Sequence, residues 1–438
     1  MHATTAQIEL RDLTEPVGGV GTARQVLGLF LARTVRGFRS VPLAAIAAHN
    51  RALYQQTLAV LARADAAHSG TAIALFRMPT ASAFVHCIAG QLHKGGDGAA
   101  LNRWLRACCE QVLLELAIAG RLGSPVVVGP PAGQSDRLLC APGANLAVWP
   151  TADATVQFAN GQLVARAGQH ETTVDLAAPR AGEYAAARVT RPYHEIVPGL
   201  WVTDCDNNPL AMVEAHPDKQ GNRPDWGGRD PRQWVAALRE ALDLVDAHLP
   251  LLGRELRLIA RVVVAVGWDA ERHLSASYKE AVGTLYMTLH PQVMTMAEAL
   301  VHEYQHNKIN AAFHLDPLLH NAWSPLYASP VRPDPRPLHG VVLAVHAFQP
   351  VARLYEAMAD AGHAFATNAA WQARFARIVQ LDRAGAATVL ENARPTACGA
   401  PFFAEMRRID RHLADLEASR WGDAAVAGAH LDELAGHD

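Results

Sequence analysis

The sequence predicts an α+β fold that is mostly helical, with β-strands concentrated in the middle of the chain. Apolar residues recur three and four positions apart through residues 43–61 and 104–118, which is typical of amphipathic helices. From Gly123 onward, short β-prone runs alternate with turn residues. Helical spacing returns at Asp230. We therefore expect a helical N-terminal region, a β-rich subdomain and a mainly helical C-terminal domain, with the boundaries 1–122, 123–229 and 230–438.

The middle region is expected to form antiparallel strands. Prolines, glycines and an asparagine interrupt its β-prone runs at short intervals, so that each run is long enough for one strand only. The candidate strands are 125–129, 147–150, 155–158, 162–166, 172–176 and 201–203.

Two elements are predicted at the start of the C-terminal domain. Asp230 is a good N-cap and Pro231 suits the first helical position, so a helix should begin there. Its apolar face is then Trp234, Leu238, Leu242 and Val245. The β-branched run at 256–266 predicts a buried strand after that helix.

Composition excludes several classes of function. The 438 residues include 39 basic and 42 acidic side chains, so nothing favours general binding to nucleic acid or to an anionic membrane. No apolar stretch reaches the ~18 residues of a membrane span. The six cysteines form no C-x-x-C pair, and the first residues do not resemble a signal peptide, so we expect a cytoplasmic protein.

The most informative segment is a predicted helix that carries two histidines. Thr295 and Glu298 have the spacing of a capping box, which predicts that the helix begins at Thr295. At about 100° per residue, His302 and His306 differ by only about 40° around the axis. Both imidazoles can therefore reach one metal ion. Glu303 lies on the flank of the same face, where it could handle a proton on a bound water or ligand.

Two histidines need at least one further ligand, and the sequence offers several. His346 lies in an apolar run on the next predicted helix, where an unpartnered imidazole would be costly to bury. A core histidine hydrogen-bonded to a carbonyl explains His346 equally well. Glu356 is the next candidate, since a glutamate on a following helix completes many H-E-x-x-H zinc sites. His339 shares a helix face with His346, and His314 points about 80° away from the ligand face.

At this point the chain resembles a known family. His302-Glu-Tyr-Gln-His306-Asn-Lys308, Tyr327 and Arg332-Pro-Asp-Pro-Arg336-Pro-Leu-His-Gly340 are similar to segments of the H-E-x-x-H proteins of ribosomal-peptide modification clusters. Ser275-Ala-Ser277 and Gly283-Thr-Leu-Tyr286 fit the same pattern. The resemblance is strong over 275–355. Relatives often carry a tyrosine or a differently placed histidine where this chain has His346.

The resemblance implies an iron(II)- and 2-oxoglutarate-dependent dioxygenase that uses O2 to hydroxylate a side-chain β-carbon of a ribosomal precursor peptide. Histidine ligands with open positions suit non-haem iron, and an arginine suits the distal carboxylate of 2-oxoglutarate. Arg336 is the first candidate for that contact and Arg332 the second. In this interpretation Glu303 organises the surroundings of the metal. Lys308 lies about 240° from His302, so we expect a structural ion pair there.

Two other functions fit parts of the sequence. The first is a zinc metallopeptidase with Glu303 as general base and Glu356 as third ligand. The second is a peptide-binding module that carries a structural metal site. Bare motif spacing favours the peptidase, whereas the segment around Arg332 and Arg336 favours the oxygenase.

Overall fold

The chain is described by a computed structural model, which covers residues 10–131, 137–213, 221–330 and 332–421. In this part of the chain, helices and sheets form the predicted α+β fold. The helices are α1 (Gly21–Arg39), α2 (Ala48–Ala67), α3 (Thr71–Phe76), α4 (Pro79–Lys94), α5 (Gly98–Ile118), α6 (Pro231–His248), α7 (Pro250–Ile259), α8 (Val293–Phe313), α9 (Leu338–Asp360), α10 (Ala369–Asn392) and α11 (Ala400–Trp421).

The strands are concentrated between α5 and α8. They are β1 (Val126–Val128), β2 (Leu139–Ala141), β3 (Leu146–Pro150), β4 (Thr155–Ala159), β5 (Gln162–Ala167), β6 (His170–Asp175), β7 (Gly182–Glu183), β8 (Ala187–Thr190), β9 (His194–Val197), β10 (Leu200–Thr203), β11 (Val262–Trp268), β12 (Ser275–Ala276), β13 (Thr284–Leu289), β14 (Leu326–Ser329) and β15 (Arg332–Pro337).

The β-rich middle consists of two four-stranded antiparallel sheets, so the predicted strand type is confirmed. One sheet has the order β1-β4-β5-β6 and the other β2-β3-β8-β7. Apolar side chains from both sheets share a core with α5, including Leu105, Val148 and Phe158. The N-terminal helices therefore cover the sheets and do not form a separate bundle.

A five-stranded mixed sheet with the order β12-β13-β11-β10-β9 underlies the C-terminal domain. Its central strands β10, β11 and β13 are parallel. A parallel pair needs a crossover connection, and α6 and α7 supply it between β10 and β11. The predicted strand at 201–203 is part of β10, so the structure places it in this sheet, apart from the strands of the β-rich middle.

One prediction of local structure near this sheet is wrong in part. Residues 256–259 belong to α7 and not to a strand, and β11 begins at Val262. Pro250 takes the first position of α7, and Leu252, Leu256 and Ile259 have helical spacing and are buried. By contrast, the helix predicted from Asp230 is confirmed, with its capping box and its four buried apolar residues.

The start of α8 also differs from the prediction. The helix begins at Val293 after the N-cap Gln292, and no side chain caps it. Glu298 does not reach back to Thr295; its carboxylate accepts hydrogen bonds from Tyr355 and Arg374. A partner from a distant helix has thus displaced the local capping contact.

Helix α8 packs between the mixed sheet and α9. Val263 and Ala265 of β11 and Leu285 of β13 face Leu300 and Tyr304 of α8 in one apolar core. Strand alternation sends Val262, Val264 and Tyr286 to the opposite face of the sheet. None of the helices within the described residues is long and apolar enough to cross a membrane.

Candidate metal site and adjoining cleft

His302 and His306 meet on one face of α8, as their spacing predicts. Their Nε2 atoms lie 2.8 Å apart and the two rings are perpendicular. Both side chains are half-buried. The ring of Phe348 on α9 packs against His302, with a centroid separation of 4.7 Å. Two imidazole nitrogens this close can bind the same ion with bonds of about 2.0–2.1 Å.

Glu303 lies beside the histidine pair, and its carboxylate is held by Ser277. Glu303 is only 2% exposed, and Oε2 accepts a hydrogen bond from the Ser277 hydroxyl. Ser277 follows β12 at the edge of the sheet. Asn307, one turn after Glu303, donates to Ser277 Oγ at 3.1 Å and to the Glu303 carbonyl at 2.8 Å. Ser277 and Asn307 therefore fix the position of the Glu303 carboxylate.

His346 is on α9, as predicted, and is fully buried. Its Nε2 lies 3.3 Å from the carbonyl oxygen of Leu13, and its ring packs edge-on against Phe402. Burial, followed by the nearby Lys308 ammonium, lowers the pKa of His346 well below its usual value. His346 is therefore a neutral imidazole that donates to a carbonyl, which is the arrangement of a core histidine.

The remaining candidate ligands lie in other surroundings. Within the described residues no group of three or more histidine, cysteine, aspartate or glutamate side chains has the spacing to hold a metal ion. His339 packs against Phe313 and Trp323, and burial lowers its pKa to about 4. His314 Nε2 lies 2.6 Å from the Lys279 carbonyl oxygen.

Glu356, the third ligand of a hypothetical zinc peptidase, takes part in an ion-pair group between α9 and α11. Its carboxylate contacts the Arg353 guanidinium, and its two oxygens lie 2.8 and 2.9 Å from His412 Nε2. Arg353 also pairs with Glu15 at 2.9 Å. These contacts satisfy Glu356 on a different side of α9 from Phe348, which faces the histidine pair.

The two candidate arginines lie in the hairpin of β14 and β15. Arg336 is opposite Tyr327, and its Nε lies 3.3 Å from Asp334 Oδ2. Arg332 pairs with Ser329 through the backbone, but its side chain lies outside the described residues. A role for either arginine in binding 2-oxoglutarate stays a prediction.

A cleft of 840 Å³ opens beside the histidine pair, between α8, α9 and α10. His302 forms part of its wall, whereas His306 and Arg336 do not line it. Phe348, Trp371 and Tyr355 provide an aromatic side, and Glu298 and Arg374 a charged one. On the α8 side, the cleft is lined by Thr295, Glu298 and His302. Their spacing puts them on one stripe of the helix.

Most residues of this wall were not predicted from the sequence. Glu298 precedes His302 by four residues, so its place on the same face could have been inferred from helical geometry alone. Trp371 and Arg374 are on α10 and belong to no motif that includes the histidines. Only the packing of α10 against α9 brings them to the cleft.

No protein-family model matches the chain, and no curated protein matches it either.

Proposed function

We propose that the protein is an iron(II)- and 2-oxoglutarate-dependent oxygenase that hydroxylates a side-chain β-carbon in a ribosomally made peptide. In this proposal His302 and His306 hold the metal. One observation favours this proposal over a zinc peptidase. Glu356, which a peptidase would need as its third metal ligand, is held by Arg353 and His412 on another side of α9.

The donor set fits iron. Two imidazoles supply two of the three protein ligands in the two-histidine, one-carboxylate site of non-haem iron oxygenases, and they leave coordination positions for a 2-oxo acid and O2. When bound, the metal supplies redox chemistry: one oxygen atom enters a C–H bond as hydroxyl, and the other converts 2-oxoglutarate to succinate with loss of CO2. Zinc lacks that redox chemistry.

The protein's own residues orient and enclose the reactants. Ser277 and Asn307 fix Glu303 beside the histidines. Phe348 covers one side of His302 and limits access of water to that ring. From His302 to the first turn of α8 the cleft spans nine residues of helix, or about 13 Å, which is the length of about four extended peptide residues.

An iron site of this kind needs a third protein ligand. His346 stays a prediction: its Nε2 faces the Leu13 carbonyl, whereas its Nδ1 has no hydrogen-bond partner among the described residues. The expected partner, a short precursor peptide encoded nearby, follows from the family resemblance.

The test is intact-mass spectrometry of the candidate peptide after reaction with the full chain. With iron(II), 2-oxoglutarate and air we expect the addition of one oxygen atom to the uncleaved peptide, together with released succinate. His302→Ala is the matched inactive control. Peptide fragments that form with the zinc-loaded protein in the absence of oxygen would overturn the oxygenase proposal and support a peptidase.

A further inference from the structure

Glu298, Tyr355 and Arg374 form a charged group on the cleft wall. Glu298 Oε2 accepts hydrogen bonds from Arg374 Nε at 3.2 Å and Nη2 at 2.8 Å. The Tyr355 hydroxyl donates to the other carboxylate oxygen of Glu298. Among the described residues that line the cleft, Arg374 is the only arginine or lysine. Any anion that enters the cleft therefore meets its positive charge at this position.

The distance from this group to the histidine pair limits the size of the ligand. Glu298 and His302 are four residues apart on α8, which is about 6 Å along the helix axis. The four C–C bonds of a five-carbon acid span about 5 Å when extended. An acid with one end at the histidines therefore places its other end level with Arg374.

A second observation points to a ligand in the same wall. Trp371, one turn before Arg374 on α10, is only 8% exposed and lines the cleft. Its indole N–H has no acceptor within the described residues. A buried donor left without an acceptor costs about 1–3 kcal/mol. The indole nitrogen is now enclosed by protein, so a polar ligand atom in the cleft would supply that acceptor after the ring turns toward it.

We infer that Arg374 holds the distal carboxylate of 2-oxoglutarate, in place of the Arg336 contact expected from the sequence. This inference rests on the proposed function. An arginine fork suits a carboxylate because it can donate two parallel hydrogen bonds. Arg336 is paired with Asp334 and does not line the cleft.

In this inference Arg374 exchanges one carboxylate for another. The incoming carboxylate takes the donors that Glu298 Oε2 now occupies, and Glu298 keeps its hydrogen bond from Tyr355. Burial and the neighbouring Glu298 charge raise the pKa of Tyr355 far above its usual value, so its hydroxyl stays protonated and donates. Glu298 thus competes with the ligand for Arg374. Removing its charge with Glu298→Gln should strengthen 2-oxoglutarate binding.

The test is calorimetric titration of the full chain, loaded with iron(II) under argon. The two probes are 2-oxoglutarate and 2-oxopentanoate, which has the same carbon chain without the distal carboxylate. For 2-oxoglutarate we expect Arg374→Ala to raise Kd at least about 30-fold, to the level of 2-oxopentanoate in the wild type. Kd for 2-oxopentanoate should change less than about threefold in Arg374→Ala, because that probe makes no contact with the guanidinium.

Arg336→Ala is the matched control and should bind both probes as the wild type does. Because Arg374→Ala leaves Glu298 poorly paired, the double variant Glu298→Gln, Arg374→Ala tests for misfolding: it should melt like the wild type and still bind 2-oxoglutarate weakly. Normal 2-oxoglutarate binding in Arg374→Ala, or loss of binding in Arg336→Ala alone, overturns this inference and leaves the proposed function intact. A wild type that does not distinguish the two probes contradicts the proposed function itself.

Discussion

Polar side chains on two faces of α8 differ in their surroundings. On one face, Glu298, His302 and His306 follow each other at intervals of four residues, and Glu298 and His302 line the cleft. On the opposite face, Tyr304 and Lys308 are fully buried. Both faces carry polar side chains in the sequence. They differ in what the polar groups meet once the chain is folded.

On the buried face, the partners are protein groups from distant segments. Lys308 Nζ pairs with Glu255 Oε2 at 2.7 Å, and Tyr304 donates to the same oxygen at 3.1 Å. Lys308 Nζ also donates to the Thr14 carbonyl, at 3.3 Å. The N-terminal segment around Thr14 is held there by Glu405, which accepts from the backbone N–H groups of Thr14 and Glu15. This face is a structural network.

On the cleft face, the two imidazoles converge on each other beside an open cavity. Their position suits a group that arrives from solution, whereas Lys308 and Tyr304 on the buried face both donate to Glu255. His346 belongs with the buried network, since its Nε2 lies against the Leu13 carbonyl. Under the proposed function, half-buried and convergent nitrogens distinguish the metal-binding histidines from the core histidine.

The largest expected effect is a loss of metal when a histidine of the cleft face is replaced. His302→Ala and His306→Ala should each abolish iron retention, because a single imidazole leaves too few ligands. Each should lower the free energy of unfolding by less than about 1 kcal/mol, since both positions are half-exposed. Metal analysis after anaerobic gel filtration measures this, with His314→Ala as control. Full metal occupancy in either variant would mean that the pair is not a metal site.

The next effect concerns the buried ion pair, where we expect stability to change and metal content to stay constant. Lys308→Met leaves Glu255 buried without its counter-charge and should cost about 3–5 kcal/mol of unfolding free energy. Urea unfolding measures it. Arg39→Met breaks the partly exposed pair with Asp65, at 3.0 Å, and should cost about 0–1 kcal/mol. Equal losses in the two variants would contradict the contrast between buried and surface pairs.

His346→Ala tests whether His346 is a core residue or the third metal ligand. A core role predicts a loss of about 2–4 kcal/mol, from the cavity and from the Leu13 carbonyl left without a donor. Metal content should stay at the wild-type value. His346→Gln, which keeps a donor, should recover part of the stability. Loss of metal in both variants would instead support His346 as the third ligand, with Leu13 displaced.

The last effect is a pH dependence at Glu405, which holds the segment around Thr14. Burial raises the pKa of Glu405 to about 7. The folded protein therefore binds this proton more tightly than the unfolded chain does, and the contribution is fully present below the unfolded pKa of about 4.3. It is lost as the pH rises through about 7, with a slope of at most about 1.4 kcal/mol per pH unit.

Urea unfolding of the wild type and of Glu405→Gln from pH 4 to pH 8 isolates this group. The stability of the wild type relative to the variant should fall as the pH rises. A difference that grows with pH would mean that the folded state prefers the ionised carboxylate.

Much of the local structure could be predicted because it depends on neighbouring residues. The helix after Asp230, the antiparallel middle strands and the convergence of His302 and His306 follow from spacings of two to four residues. The prediction for 256–259 was wrong because its apolar residues serve a helix as well as a strand. Glu298 was misassigned to a capping box because its partner is 76 residues away in Arg374.

The sequence by itself determined that two histidines share a helical face and that Lys308 points away from them. Backbone hydrogen bonds fix those directions within one or two turns, whatever the rest of the chain does. Only the tertiary structure decided that Arg374 and Trp371 meet Glu298 at a cleft, and that His346 faces Leu13. Those contacts depend on how α8, α9, α10 and the N-terminal segment pack, and packing is set by side-chain shapes across the whole core, which no local spacing encodes.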